Sequence, residues 1–150
     1  MKKFYYINCG EELIKGITPI YTEVNYLCLN PVVLLIQRAE KYYIAELKNK
    51  SFDFANEVAY IGPNTYIQFA YNDIIKRKGL SFNSYVGYTS EGKEFEIMQL
   101  LGEDKGKYVA SVDFVDQNEY KGFIIPSYFG EEIKSVNDFR RQGIILRKSL

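Results

Sequence analysis

A succession of short runs rich in aromatic and β-branched residues constrains the fold of this chain more than any other feature. The runs Phe4–Asn8, Ile20–Leu29, Val32–Gln37, Lys41–Leu47 and Val58–Ile61 have the length and composition of β-strands. Ser84–Tyr88, Glu94–Leu101 and Tyr108–Val115 follow as a three-strand meander. They are joined by Ser90-Glu91-Gly92 and by Gly102-Glu103-Asp104-Lys105-Gly106. In the last of these runs Tyr108, Ala110, Val112 and Phe114 alternate with Ser111 and Asp113, the period of an antiparallel strand with one solvated face. Arg38-Ala39-Glu40-Lys41 reads as a hairpin turn, Gly10 to Lys15 as a short helical turn stopped by Gly16, and Gly122–Ile125 as a further strand.

Helical periodicity shows in the middle of the chain. Pro63-Asn64-Thr65 supplies a start, and Ile67, Ala70, Tyr71, Ile74 and Ile75 form one apolar stripe. Lys76-Arg77-Lys78 then complements a helix C-terminus, with Gly79 as the stop. Ser135-Val136-Asn137-Asp138 predicts a short C-terminal helix through Phe139 to Gly143, followed by Ile144–Leu146 as an edge strand. The fold class expected is α+β: one domain over 1–150, mainly antiparallel sheet packed against a central helix at 64–78, with a short C-terminal helix.

Composition narrows function by exclusion. Lys and Arg total 19 against 19 Asp and Glu, so no net basic charge favours nucleic acid. No histidine is present, which removes Ser-His and Cys-His nucleophile pairs and histidine-bearing zinc sites. The longest apolar run, Val32–Ile36, is far short of the roughly 20 residues of a membrane span. A cytoplasmic location and no membrane partner are expected. Cys9 and Cys28 lie in apolar segments and read as buried, reduced thiols.

The chemical motifs are fragmentary. Glu46-Leu47-Lys48 after the strand Tyr42–Ala45 resembles half of the PD-(D/E)xK nuclease signature, in which carboxylates hold a divalent metal and lysine helps activate water. That resemblance would make Glu46 and Lys48 active-site residues, but no aspartate precedes Asp53 to complete the pattern. Gly102 to Tyr108 is similar to a phosphate-binding loop, yet is one residue short and joins two strands. Asp113, Asp116 and Glu119, and likewise Glu94 and Glu96, read as solvated carboxylates. The basic groups Lys76–Lys78, Arg140-Arg141 and Arg147-Lys148 read as helix ends and a solvent-facing tail. No cofactor and no metal site are expected.

Tyrosine is the residual signal, with 14 copies beside 10 phenylalanines. Tyr85 and Tyr88 flank the Ser90–Gly92 turn, Tyr120 precedes Gly122, and Tyr128 lies in Pro126-Ser127-Tyr128-Phe129-Gly130. Tyrosine buries a large area at low entropic cost, so these four are the expected partner-binding residues. The expectation leans away from an enzyme. It is a non-catalytic protein of the immunity, inhibitor or counter-defence kind that sterically occupies a protein partner. The alternatives are a small-molecule binder with a tyrosine-lined pocket and, third, a metal-dependent nuclease-like enzyme. An exposed edge strand would also permit a homodimer.

Overall fold

Alternating side chains in long antiparallel runs can hide two apolar faces when the sheet curls and is covered on its outer side. The computed structural model describes residues 2–29, 32–47, 57–62, 77–102 and 105–134. Its strands are β1 (Lys2–Ile7), β2 (Ile20–Leu29), β3 (Val32–Arg38), β4 (Lys41–Leu47), β5 (Glu57–Ile61), β6 (Arg77–Tyr88), β7 (Glu94–Leu100), β8 (Tyr108–Asp113) and β9 (Phe129–Ile133). The helices among the described residues are α1 (Gly10–Leu13) and α2 (Gln117–Lys121). All nine strands belong to one sheet in the order β5-β4-β3-β2-β6-β7-β8-β1-β9. Two meanders, β2 to β5 and β6 to β8, are stitched by antiparallel pairing of β2 with β6. The N-terminal strand then inserts between β8 and β9.

Register assigns the faces. Lys2, Phe4 and Tyr6 lie opposite Asp113, Ser111 and Val109, and the same face continues through Glu96 and Met98 to Val86, Ser84 and Phe82. It passes on to Thr22, and thence to Arg38 and, through Val24 and Ile36, to Tyr43. We call this the inner face. Lys2 of β1 and Tyr43 of β4 line one cleft although five strands separate them in the sheet, so the inner face is concave. Phe4, Phe82, Met98, Leu100, Val109 and Ile133 form its buried floor. Full burial of side chains of this size contributes about 1.5–3 kcal/mol each.

The outer face holds a larger cluster, including Tyr5, Ile7, Tyr85, Phe95, Ile97, Tyr108, Val112, Phe114 and Phe129. Leu13 and Ile14 of the α1 segment, Tyr120 of α2, and Phe123 and Tyr128 cover it. Rings meet edge-on, with Phe95 5.2 Å from Phe129 and Phe114 5.1 Å from Phe123. Gly10 opens α1 because a Cβ there would stand 2.2 Å from Cγ of Tyr108. The absent side chain lets the helical turn lie directly on that ring.

Several expectations are corrected. The sheet is mainly antiparallel with few short helices, and the central helix expected at 64–78 is not supported. Arg77, Lys78 and Gly79 are extended in β6, and 63–76 lie outside the described residues. Backbone pairing of Arg77 and Lys78 with Tyr26 and Asn25 of β2 places the basic run in the strand rather than at a helix end. Gly122–Ile125 is not a strand; the edge strand is Phe129–Ile133, and α2 precedes it. Ser111 is 6% exposed rather than solvated, because the concave face buries it too. Cys9 is exposed and Cys28 half-buried, both as free thiols. The expected C-terminal helix and the strand Ile144–Leu146 lie outside the described residues.

Candidate functional site

Polar side chains converge on the inner face at the end of β3. Arg38 is the last residue of that strand and pairs with Lys41 across a tight turn. Ala39 in the turn has φ 55, a left-handed conformation unfavourable for a residue with a Cβ. Its N–H donates to the carbonyl of Tyr21 at 3.0 Å, which fastens the turn to β2. The backbone strain therefore sits beside the arginine it positions.

The guanidinium of Arg38 reaches over the sheet. Nη1 donates to Oγ1 of Thr22 at 2.8 Å, and Nη2 donates to Oγ of Ser84 at 3.4 Å. Nη2 also lies 3.3 Å from a carboxylate oxygen of Glu96. The Ser84 hydroxyl donates to that same Glu96 oxygen, so its lone pair and its proton are both used. Thr22 and Ser84 are 4% exposed, and their polar atoms are satisfied within this group. The side chains of Arg38 and Glu96 remain 39% and 27% exposed, which leaves guanidinium and carboxylate edges open to a ligand.

The group opens onto a cleft of about 280 Å³ lined by Lys2, Thr22, Val24, Ile36, Arg38, Tyr43, Phe82 and Glu96. Lys2 has no ion-pair partner among the described residues, and Lys41 is exposed on the same face opposite Arg38. The cleft thus offers a planar guanidinium fork, an uncommitted ammonium, two hydroxyls and one carboxylate. An arginine fork and an ammonium are the side chains that bind phosphate oxygens. Among the described residues no three His, Cys, Asp or Glu side chains converge in a metal cage.

The four expected tyrosines do not meet in one place. Tyr85 is buried in the outer cluster, with its hydroxyl donating to Gln99 at 2.8 Å. Tyr120 donates to Glu132 at 2.8 Å beneath Lys3, whose ammonium lies 4.6 Å from the ring centre. Tyr128 packs half-buried on Phe129 at 5.5 Å. Tyr88 alone of the four lies on the inner face. Tyr43 is the tyrosine that lines the cleft. Of the carboxylates, Glu96 joins the site, whereas Asp116 caps α2 by accepting the N–H of Glu119 at 2.8 Å. Glu46 pairs with Val33 and Glu57 within β4, and Lys48 lies outside the described residues. In the sequence Arg38 reads only as part of a hairpin turn. The available signal was a lone arginine closing an apolar strand opposite Lys41.

No family model matches the sequence, and no curated protein matches it. The fold, however, has close counterparts among solved structures. Crystal structures of the inorganic triphosphatase NE1496 and of the hypothetical protein NE1496 each superpose with a TM-score of 0.70 at 16% identity. The match covers 98% of this chain and 97% of theirs. This chain has the fold of an inorganic triphosphatase. The expectation of a non-catalytic inhibitor or immunity protein acting by steric occupation is thereby overturned: the fold is one that carries an enzyme, and the polar side chains converge in a concave cleft. That expectation rested on the missing histidine, but chemistry built on arginine, lysine and carboxylate needs none.

Proposed function

We propose that this protein hydrolyses the terminal phosphoanhydride of a linear triphosphate held in the inner-face cleft. The observation that carries the reading is the Arg38 guanidinium, fixed by Thr22, Ser84 and Glu96 over a cleft shared with Lys2. The likeness to a triphosphatase fold supports it. Phosphoryl transfer asks a protein chiefly for positioning and charge stabilisation, and a prepositioned arginine supplies both.

In this reading Arg38 and Lys2 bind non-bridging oxygens of the substrate, which enters as its magnesium complex. Glu96 accepts a hydrogen bond from the attacking water. The water oxygen bonds to the terminal phosphorus, and the bridging P–O bond breaks with its electron pair leaving on diphosphate. The water's proton passes to Glu96, and orthophosphate departs. Ser84 and Thr22 hold the two charged groups in place.

The test is orthophosphate release from magnesium tripolyphosphate by the purified chain and by Arg38→Ala. Release by the native chain that Arg38→Ala lowers at least tenfold at substrate concentrations below KM supports the reading. Release no greater than that of the variant, with either magnesium or manganese, removes it.

A further inference from the structure

Arg38 reaches its partners from across two strands, so the place of its Cα decides which of them it can touch. That Cα pairs with Thr22 on β2, and the side chain passes over β2 to Ser84 of β6 and Glu96 of β7. A slip of one residue in β3 would turn the side chain to the outer face. The hairpin closes this register with a loop of two residues, Ala39 and Glu40, between the paired Arg38 and Lys41. Ala39 has φ 55, whereas Glu40 does not enter the positive-φ region. Glycine is the residue suited to positive φ at the first place of such a loop, because it has no Cβ to strain. Here the place holds an exposed alanine. Its N–H donates to the Tyr21 carbonyl at 3.0 Å, one further rung of β2–β3 pairing directly beyond Arg38.

Resting on the triphosphate reading above for the use of Arg38, we infer that Ala39 is its positioning residue. Positive φ at Ala39 allows the two-residue loop. The loop and the Tyr21 hydrogen bond hold the end of β3 in register, and the register aims the guanidinium along the inner face. A residue that resists positive φ opens the loop and releases the last rung. The arginine then withdraws from Ser84 and Glu96. Misplacing a substrate-binding group by about 1 Å can cost on the order of a hundredfold in rate, so a turn that touches no substrate still governs activity.

Ala39→Asn and Ala39→Val test the assignment on the full chain, because both keep the N–H while only asparagine tolerates positive φ. With magnesium tripolyphosphate, A39N is expected to keep the native KM and A39V to raise it roughly fivefold or more. In an Arg38→Ala background A39V is expected to add nothing, since its effect runs through that side chain. A native KM in folded A39V overturns the inference, as does an A39V effect that persists undiminished without Arg38. Ala39→Pro, which fixes a negative φ and removes the N–H, replaces A39V if the latter does not fold. Failure of both to fold assigns the turn to folding alone and also overturns the inference. Absence of turnover in the native chain removes the triphosphate reading, and nitrogen-15 spectra then decide the positioning by themselves. The Arg38 guanidinium signals are expected to be resolved and slow to exchange in the native chain and A39N, and lost to exchange in A39V. Identical guanidinium signals in all three overturn the inference.

Discussion

Arg38 and Glu96 meet at 3.3 Å across the inner face, although β2 and β6 lie between their strands in the sheet. Neighbouring strands are about 4.8 Å apart, so the pair bridges roughly 14 Å of sheet, a span that curvature and a long side chain make possible. The two residues should fail differently when altered. Arg38→Ala removes the fork that binds substrate oxygens and is expected to raise KM for tripolyphosphate at least tenfold. Glu96→Gln keeps the shape of the group but removes the proton acceptor, and is expected to lower kcat by about a hundredfold with KM unchanged or reduced. Steady-state kinetics on the two variants decides this. A common loss of kcat/KM with no split would show that the pair acts only as structure.

Gly10 is the second position where a single atom matters. A methyl group there meets the Tyr108 ring at 2.2 Å from Cγ, with further ring carbons at 2.4 and 2.7 Å. Tyr108 is 7% exposed and wedged in the outer cluster, so it cannot swing away freely. Gly10→Ala is expected to destabilise the protein by about 1–3 kcal/mol, the usual range for overpacking. Thermal unfolding followed by circular dichroism measures it. Gly122→Ala is the control, because its nearest neighbour, a backbone oxygen, lies 3.4 Å away. Equal effects at the two positions would refute the packing argument.

Period-two patterning made most of the sheet legible in the sequence. β2 and β4 fall on the expected runs Ile20–Leu29 and Lys41–Leu47, and the β6-β7-β8 meander follows its turns. What alternation does not encode is curvature. Whether the second face of a strand meets water or the far side of its own sheet depends on pairings such as β1 with β8, distant in the chain. Glu96 and Ser84 therefore read as ordinary strand residues, because only the pairing of β3 with β2 brings Arg38 over them. α2 was missed for a different reason. Asp116 and Glu119 were read as separate carboxylates, although Asp-x-x-Glu is a cap signal: Asp116 accepts the N–H of Glu119 and Glu119 accepts that of Val115 at 2.9 Å.

Glu119 also ties α2 to the β6–β7 turn. Its carboxylate pairs with Lys93 and accepts the Val115 N–H. The Lys93 hydrogen bond, followed by the one from Val115, holds its pKa below the usual 4.5. A carboxyl group with a depressed folded pKa stabilises above its unfolded pKa and loses that contribution as pH falls through the folded one. The protection of the 115–121 amide hydrogens against exchange, relative to unstructured peptide at the same pH, should therefore fall as the solution is acidified below about pH 4.5. Glu119→Gln should flatten that dependence. A variant with the native pH profile would assign the acid sensitivity to another group.

The opposite sign applies at alkaline pH. Burial raises the Tyr5 hydroxyl well above its ordinary pKa of 10.0, and the charges of Glu132 and Tyr120 add to the effect. Tyr21, Tyr85 and Tyr128 are raised mainly by burial, and Tyr120 mainly by its hydrogen bond to Glu132. Between the unfolded and the raised folded pKa, the native state holds protons that the unfolded chain has released. Stability is thus intact below pH 10 and falls as pH rises beyond it. For the 2%-exposed Tyr5 the slope approaches about 1.4 kcal/mol per pH unit. Urea unfolding at stepped alkaline pH is expected to show this decline, and Tyr5→Phe, which lacks the ionisable hydroxyl, is expected to reduce its slope. Ultraviolet titration should show the tyrosinate signal arriving in two phases, the later one coinciding with unfolding. A single phase centred at the ordinary pKa, with the fold intact, would mean that these hydroxyls are solvated.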